Sequence, residues 1–373
     1  MKKYRIDEIT ENLDNLRKPL NSIQRSIISK KKLYPYYGAN NLMDYVDEYI
    51  FDEEILCVAE DGGSWGYTEK CTYIVNEKCW VNNHAHVLRA KDNLNIAYLS
   101  YYLNYNDLNS YITGTTRGKL TKSALNNIEV LLPKLEKQNR IVEILDKAQN
   151  LIDKRKEQIE TLDELVKSQF IEMFGDLKNE EKLPLEMCTT FIDYRGKTPT
   201  LSESGIRIIN AKSVGNGFFK YIDEYISEET YNSWMKRGFP VAGDVLFVTE
   251  GHTFGNVCRI PSDLNKFAMG QRVITMQGKE GLLNNIFLAQ YMQSISFKID
   301  IDKYKTGSSA QGIRSKELQK IHIPIPNIEL QNQFDDFVKQ VDKLKFEMEN
   351  SLKELENNFN SLMQRAFKGE LFN

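Results

Sequence analysis

The feature that most constrains this chain is that it repeats itself. Residues from 114 onward match residues from 307 onward, without gaps, at a shift of 193. In the first copy Gly114-Thr115-Thr116 leads to Leu120, Leu125, Ile128, Val130, Leu132, Pro133, Leu135, Glu136, Gln138, Asn139 and Ile141. In the second, Gly307-Ser308-Ser309 leads to Ile313, Leu318, Ile321, Ile323, Ile325, Pro326, Ile328, Glu329, Gln331, Asn332 and Phe334. So many matches in one register mark a duplication, and the fold must be one that can be built twice.

The same shift continues into segments whose apolar residues recur at alternating steps of four and three, the seam of a coiled coil. The first seam reads Ile141, Leu145, Ala148, Ile152, Arg155, Ile159, Leu162, Val166, Gln169 and Met173. The second reads Phe334, Val338, Val341, Lys345, Met348, Leu352, Leu355, Phe359, Leu362 and Ala366. Two polar residues interrupt the first and one interrupts the second, and neither holds Gly or Pro, so both are expected to be long helices. Each seam covers 33 residues, which is about 50 Å of helix. An apolar stripe of that length needs a partner, and the duplicate helix is the expected one, paired antiparallel about a pseudo-twofold axis. The alternative is that each helix folds back onto the sheet of its own module.

Ahead of each helix lies a module of mixed character. The expected division is a first module over 1–135, a first helix over 136–179, a second module over 180–328 and a second helix over 329–373. The fold class is therefore α+β: two mixed α/β modules joined by two long helices that form an antiparallel coiled coil. Between modules the similarity is patchy. Leu56-Cys57-Val58-Ala59-Glu60 aligns with Leu246-Phe247-Val248-Thr249-Glu250, and Asn95 to Tyr101 with Asn285 to Tyr291, both at a shift of 190. Runs such as Thr72 to Val75 and Asp244 to Val248 read as strands, with loops at Asp61-Gly62-Gly63-Ser64 and Gly251-His252-Thr253. Similar helices with dissimilar modules suggest one shared structural task and two recognition tasks.

Composition limits what those tasks can be. At 373 residues, with 41% hydrophobic and 27% charged, the chain is a folded protein of two or three units. It has no apolar stretch long enough to span a bilayer and no apolar signal core at its start, so a cytoplasmic location is expected. The five cysteines, Cys57, Cys71, Cys79, Cys188 and Cys258, include no Cys-x-x-Cys spacing and read as reduced, buried residues. His84 and His86 with Cys79 do not complete the four ligands of a structural zinc, so no metal is expected. The net charge of -3 means that contact with nucleic acid must be local, or that a basic partner supplies the neutralisation.

No catalytic string is present: neither Gly-x-Ser-x-Gly, nor His-Glu-x-x-His, nor Gly-x-Gly-x-x-Gly, nor the Asn/Asp-Pro-Pro-Tyr/Phe of amino-methyltransferases. Gly114 to Thr121 fails the P-loop spacing, with three residues between Gly114 and Gly118 and Leu120 where a hydroxyl is needed. Glu60, Asp61 and Glu250 are the carboxylates of a conceivable nuclease, but acids beside a turn are more often caps or solvated groups. Magnesium-dependent cleavage by the isolated chain would mark such an enzyme. No catalytic residue is expected.

Several segments together are similar to one family. They are Tyr34-Pro35-Tyr36-Tyr37-Gly38-Ala39-Asn40, Val58-Ala59-Glu60-Asp61-Gly62 and Asp193-Tyr194-Arg195-Gly196-Lys197-Thr198-Pro199. To these add the repeated tails from Leu132-Pro133 and Ile325-Pro326, and the closing Ala366-Phe367-Lys368-Gly369-Glu370-Leu371. Over essentially its whole length the chain resembles the specificity subunit of type I restriction–modification enzymes. The resemblance implies two target recognition domains on double-stranded DNA, each gripping half of a split site, with the paired helices as a ruler. It implies docking of two methyltransferase subunits and, in the full enzyme, of two ATP-driven motor nuclease subunits. S-adenosylmethionine, ATP and magnesium would then belong to the partners, with no cofactor in this chain. The competing reading is a coiled-coil scaffold that binds proteins or glycans and no DNA.

Candidate DNA contacts follow from loop chemistry. Thr115, Thr116, Arg117, Lys119 and Lys122 combine cations and hydroxyls with no acid between them, which suits phosphate oxygens. Lys305, Ser308, Ser309, Gln311, Arg314 and Lys316 form the counterpart in the second copy, and Arg195, Lys197 and Thr198 a third basic loop. Lys32 with Tyr36 is a fourth candidate. Taken singly, each is most simply a solvated surface residue.

Overall fold

The computed structural model describes residues 2–114, 116–196, 198–307 and 311–372. Thr115, Lys197, Ser308 and Ser309, four of the candidate contacts, lie outside them. Packing groups the chain into two compact units and not four consecutive segments: Met1–Glu157 with Glu349–Asn373, and Gln158–Met348. Each long helix gives one part of its length to each unit.

In the first unit β1 (Lys2–Arg5), β2 (Thr10–Asn12), β3 (Tyr34–Gly38), β4 (Asn41–Val46), β5 (Ile55–Ala59), β6 (Thr72–Val75), β7 (Trp80–Val81) and β8 (Ala85–Ala90) precede α1 (Ile96–Tyr105). Then β9 (Ile112–Thr113), β10 (Lys119–Leu120) and β11 (Glu129–Leu132) lead into α2 (Leu135–Phe174). The main sheet is antiparallel in the order β2-β8-β5-β6, beside a smaller sheet β4-β3-β7 and the ribbons β1-β11 and β9-β10. Central strand β5, Ile-Leu-Cys-Val-Ala, is buried on both faces. Its alternate residues serve two cores. Leu56 and Val58 face α1 and the helix segments, packing with Ile141, Leu145, Met363, Ala366 and Phe367. Ile55 and Cys57 face Phe51, Val75 and Val87.

The second unit repeats this plan. Its strands are β12 (Lys182–Pro184), β13 (Thr189–Asp193), β14 (Ile206–Ile209), β15 (Tyr225–Ile226), β16 (Val245–Val248), β17 (Val257–Arg259), β18 (Ala268–Met269) and β19 (Val273–Gly278). After them come α3 (Asn285–Met292), β20 (His322–Pro324) and α4 (Ile328–Phe367). The antiparallel sheet β13-β19-β16-β17 stands for β2-β8-β5-β6, β15-β14-β18 for β4-β3-β7, and β12-β20 for β1-β11. Val245 and Phe247 face the helices, with Phe287 and Phe334; Leu246 and Val248 face the opposite core. Leu56 therefore corresponds to Val245, at a shift of 189. The expected shift of 190 puts Leu246 in its place, and a one-residue slip turns every side chain to the other face.

A buried glutamine ties each long helix to its module. Gln138 Nε2 donates to the carbonyls of Pro133 (2.9 Å) and Asn93 (3.0 Å), and its Oε1 accepts from Asn95 N (2.9 Å). Gln331 does the same with Pro326 (2.7 Å), Leu282 (3.1 Å) and Asn284 N (2.8 Å). Asn95 and Asn284 in turn cap α1 and α3 with their side chains. These two caps again stand 189 apart, so Asn284 and not Asn285 is the partner of Asn95.

Every residue of the two seams is buried or half-buried, including the polar Arg155, Gln169 and Lys345. Within the first unit Lys156 Nζ meets Glu356 at 3.0 Å and Phe359 packs beside Tyr101, so the later part of α4 lies along the earlier part of α2. Within the second, Lys345 meets Asp163 at 2.7 Å and Phe334 packs edge-on to Phe170 and Phe174. Both segment pairs are antiparallel. Where the helices meet their modules the seam moves one residue aside, to Phe170 and Phe174 in α2 and to Met363 and Phe367 in α4, all buried. Steps of four and four from Val166 and Phe359 swing the stripe toward the sheet, as the mismatch between 3.6 and 3.5 residues per turn allows. The helices thus pair with each other and also cover their own sheets.

All five cysteines are free and buried, and burial pushes the Cys188 thiol up to about 11 and that of Cys71 to about 12. They pack as small apolar groups. Among the described residues no helix is long and apolar enough to cross a membrane.

Candidate nucleic-acid interface

The cationic hairpin of the first unit is fastened to the end of β5. Leu120 N donates to Glu60 O at 2.8 Å, and Asp61 pairs with Lys119 as an isolated antiparallel bridge. Gly114 closes the hairpin at φ +98, where a side chain would also strike Arg117 O at 2.4 Å. The second unit repeats the docking: Ile313 N donates to Thr249 O at 2.9 Å, Glu250 bridges Gly312, and Gly307 has φ 92. Glu60 and Asp61 therefore occupy the places of Thr249 and Glu250. Sequence reasoning set these acids aside as caps or solvated groups, whereas they lie against the candidate cations.

Beneath the first hairpin the acids are largely satisfied. Glu60 accepts from Arg17 Nη1 at 2.7 Å and pairs with Lys119 Nζ at 3.0 Å. Burial alone raises its pKa, but Arg17 and Lys119 outweigh that and hold it below the usual carboxylate range. Asp14 lies 2.6 Å from His86 Nδ1 and accepts from Val87 N at 2.9 Å. Its carboxyl too is raised by burial and lowered further by His86, Val87 and Arg17, for a net depression. The other ring nitrogen of His86 lies 2.8 Å from Leu120 O, at the root of the hairpin. Asp61 holds His84 Nδ1 at 2.9 Å and Arg117 Nη2 at 2.6 Å. His84 and His86 thus belong to a hydrogen-bonded network, and among the described residues no group of three or more His, Cys, Asp or Glu is placed to hold a metal.

The remaining candidates fall into three kinds. Thr116, Lys122, Thr198, Gln311, Arg314 and Lys316 are exposed, and Lys122, Arg314 and Lys316 have no acid partner among the described residues. Arg195 is committed internally: its guanidinium forks onto Asp193 at 2.9 and 2.7 Å. Burial raises the Asp193 carboxyl, but Arg195 lowers it more, for a net depression. Lys305 pairs with Asp302 at 2.9 Å. Lys32, at φ 53, sits in a turn held by backbone donation to Asp47.

Tyr36 is a correction. It is 1% exposed, packed with Val46 and Trp80 in a small core and covered by the Arg25 guanidinium 5.4 Å from its ring. Its place on β3, flanked by β4 on one side and β7 on the other, buries it, so its neighbourhood with Lys30 to Lys32 in sequence does not carry it to the surface.

Two copies of one sheet-and-helix module, each presenting a hairpin fastened to the end of its central strand, define a duplicated recognition protein built on a pair of long helices. The chain belongs to the type I restriction–modification DNA specificity family, whose domain matches residues 1–162 and again 192–357. A protein of Haemophilus influenzae described as a type I restriction enzyme specificity subunit is 29% identical over 362 residues, 91% of this chain and 87% of that one. The MjaVIII specificity subunit of Methanocaldococcus jannaschii is 24% identical, over 83% of this chain and 80% of its own. The crystal structure of the type I S subunit from M. genitalium superposes with a TM-score of 0.60 at 14% identity, covering 98% of this chain and 96% of the other. A second structure, from work on assembly and conformational transition of the type I system, gives 0.55 at 15% identity, with 99% and 98% covered. The reading as a scaffold for proteins or glycans finds no support in these likenesses.

Proposed function

We propose that this chain selects a split double-stranded DNA target, one half-site per module, and performs no chemistry itself. The observation that carries this reading is the duplicated hairpin: two cationic loops fastened by the same strand-end bonds in two units that otherwise differ in sequence. Exposed Thr116, Lys122, Arg314 and Lys316 supply phosphate contacts that position the modules on the duplex. In the cytoplasm, two methyltransferase subunits dock on the chain and bring S-adenosylmethionine; in a restricting enzyme two motor nuclease subunits add ATP and magnesium. Lengthening the helices would then widen the gap between half-sites and leave their sequences intact.

The test is single-molecule mapping of methylated adenines in the source genome, with the gene intact and then deleted. The expected result is loss of one bipartite motif with a fixed gap. An unchanged map, with the gene expressed, overturns the reading.

A further inference from the structure

The acids beneath the hairpins have a second consequence, which rests on the DNA-recognition reading above. Arg117 is 64% exposed, yet its guanidinium is not loose. Asp61, itself only 17% exposed, takes one edge at 2.6 Å and is steadied by His84 at 2.9 Å. Gly62, at φ +65, lies so close that a Cβ there would stand 2.8 Å from Arg117 Nη2. The second unit builds a similar device at the corresponding acid: Glu250 Oε1 holds Arg272 Nε at 3.1 Å, with both side chains 57% exposed. Arg272 comes from the turn before β19 and not from the hairpin, and it holds a φ of 65 that a non-glycine residue rarely adopts.

We propose that Arg117 and Arg272 are base-reading residues, each recognising the major-groove edge of a guanine in its own half-site, with Asp61 and Glu250 as the positioning carboxylates. An arginine paired with an acid has little net charge left for a phosphate, and the acid repels one. Guanine O6 and N7 are neutral acceptors that reward orientation more than charge, and the planar guanidinium presents two parallel donors to them. The unpaired cations Lys122, Arg314 and Lys316 suit phosphate instead. Each half-site accordingly contains at least one G·C pair that depends on one arginine.

The experiment expresses the full chain with its methyltransferase partner in a methylation-free host and maps the methylated motif for wild type, Arg117→Lys, Asp61→Asn, Arg272→Lys and Lys122→Ala. Arg117→Lys is expected to relax one G·C position of one half-site by roughly 5- to 150-fold and to leave the other half-site intact, which certifies the fold. Asp61→Asn relaxes the same position more weakly, Arg272→Lys relaxes a position in the opposite half-site, and Lys122→Ala lowers methylation without altering the motif. The proposal is overturned by a wild-type half-site without a G·C pair, by an unaltered motif in Arg117→Lys, or by Asp61→Asn acting at a different position. A wild type that methylates no bipartite motif instead overturns the function on which the proposal rests.

Discussion

At the scale of single residues, buried polar side chains fasten the candidate hairpin of the first unit to its sheet. Asp14 shows how such a residue declares itself in solution. Its folded pKa lies below the usual value because His86, Val87 and Arg17 together outweigh burial. It therefore contributes stability that is fully present above its unfolded pKa, about 4, and is lost as pH falls through the lower folded value. Asp14→Asn is expected to cost roughly 2 kcal/mol near neutral pH, as for removal of hydrogen bonds to a buried charge. Urea unfolding from pH 7 to pH 2 should show the gap between variant and wild type closing toward acid; a gap that widens there would contradict the assignment.

At the scale of elements, the long helices carry the clearest expectation. Phe334 is fully buried against Phe170 and Phe174, whereas Lys345 and Asp163 form a pair whose acid is 56% exposed. Phe334→Ala should destabilise the second unit by about 3–5 kcal/mol, and Lys345→Ala by less than about 1 kcal/mol, as measured by denaturant titration of the full chain. Equal losses would mean that the ion pair holds the segments together as strongly as the aromatic cluster does. The seams were legible because a 4-3 repeat over ten positions marks a long amphipathic helix, whichever partner covers its stripe. Their departure toward Phe170, Phe174, Met363 and Phe367 was visible only as aromatic and Met side chains four apart at the same 193 shift, a signal the heptad reading passes over. The 190 shift between modules failed because strand runs such as Leu-Cys-Val-Ala are apolar at every position, so no alternation fixed the face. Candidate loops were readable from composition, but the acids that brace them come from distant strands, and no local spacing joins Asp61 to Arg117 or Glu250 to Arg272.

For the whole molecule, the net charge of -3 leaves local cations to set how DNA binding responds to salt. Among the described residues most cations of the hairpins are already neutralised by protein carboxylates, which leaves Lys122, Arg314 and Lys316 to release counterions. The isolated chain should show a log–log salt slope of about -3. Fluorescence anisotropy on target duplex between low and moderate salt checks this, and a steep slope for the chain alone would require basic residues beyond these loops.

The sharing of α4 between the units also sets an order of events during synthesis. Met363, Ala366, Phe367 and Leu371 complete the core that Leu56, Val58 and Leu88 begin, so the ribosome makes the two sides of that core about three hundred residues apart. Residues 158–348 emerge as one continuous stretch and can close around their own aromatic cluster first. The unit that contains the first module therefore cannot complete its core until the last helix has been made, and until then its apolar sheet face lacks the four side chains that cover it.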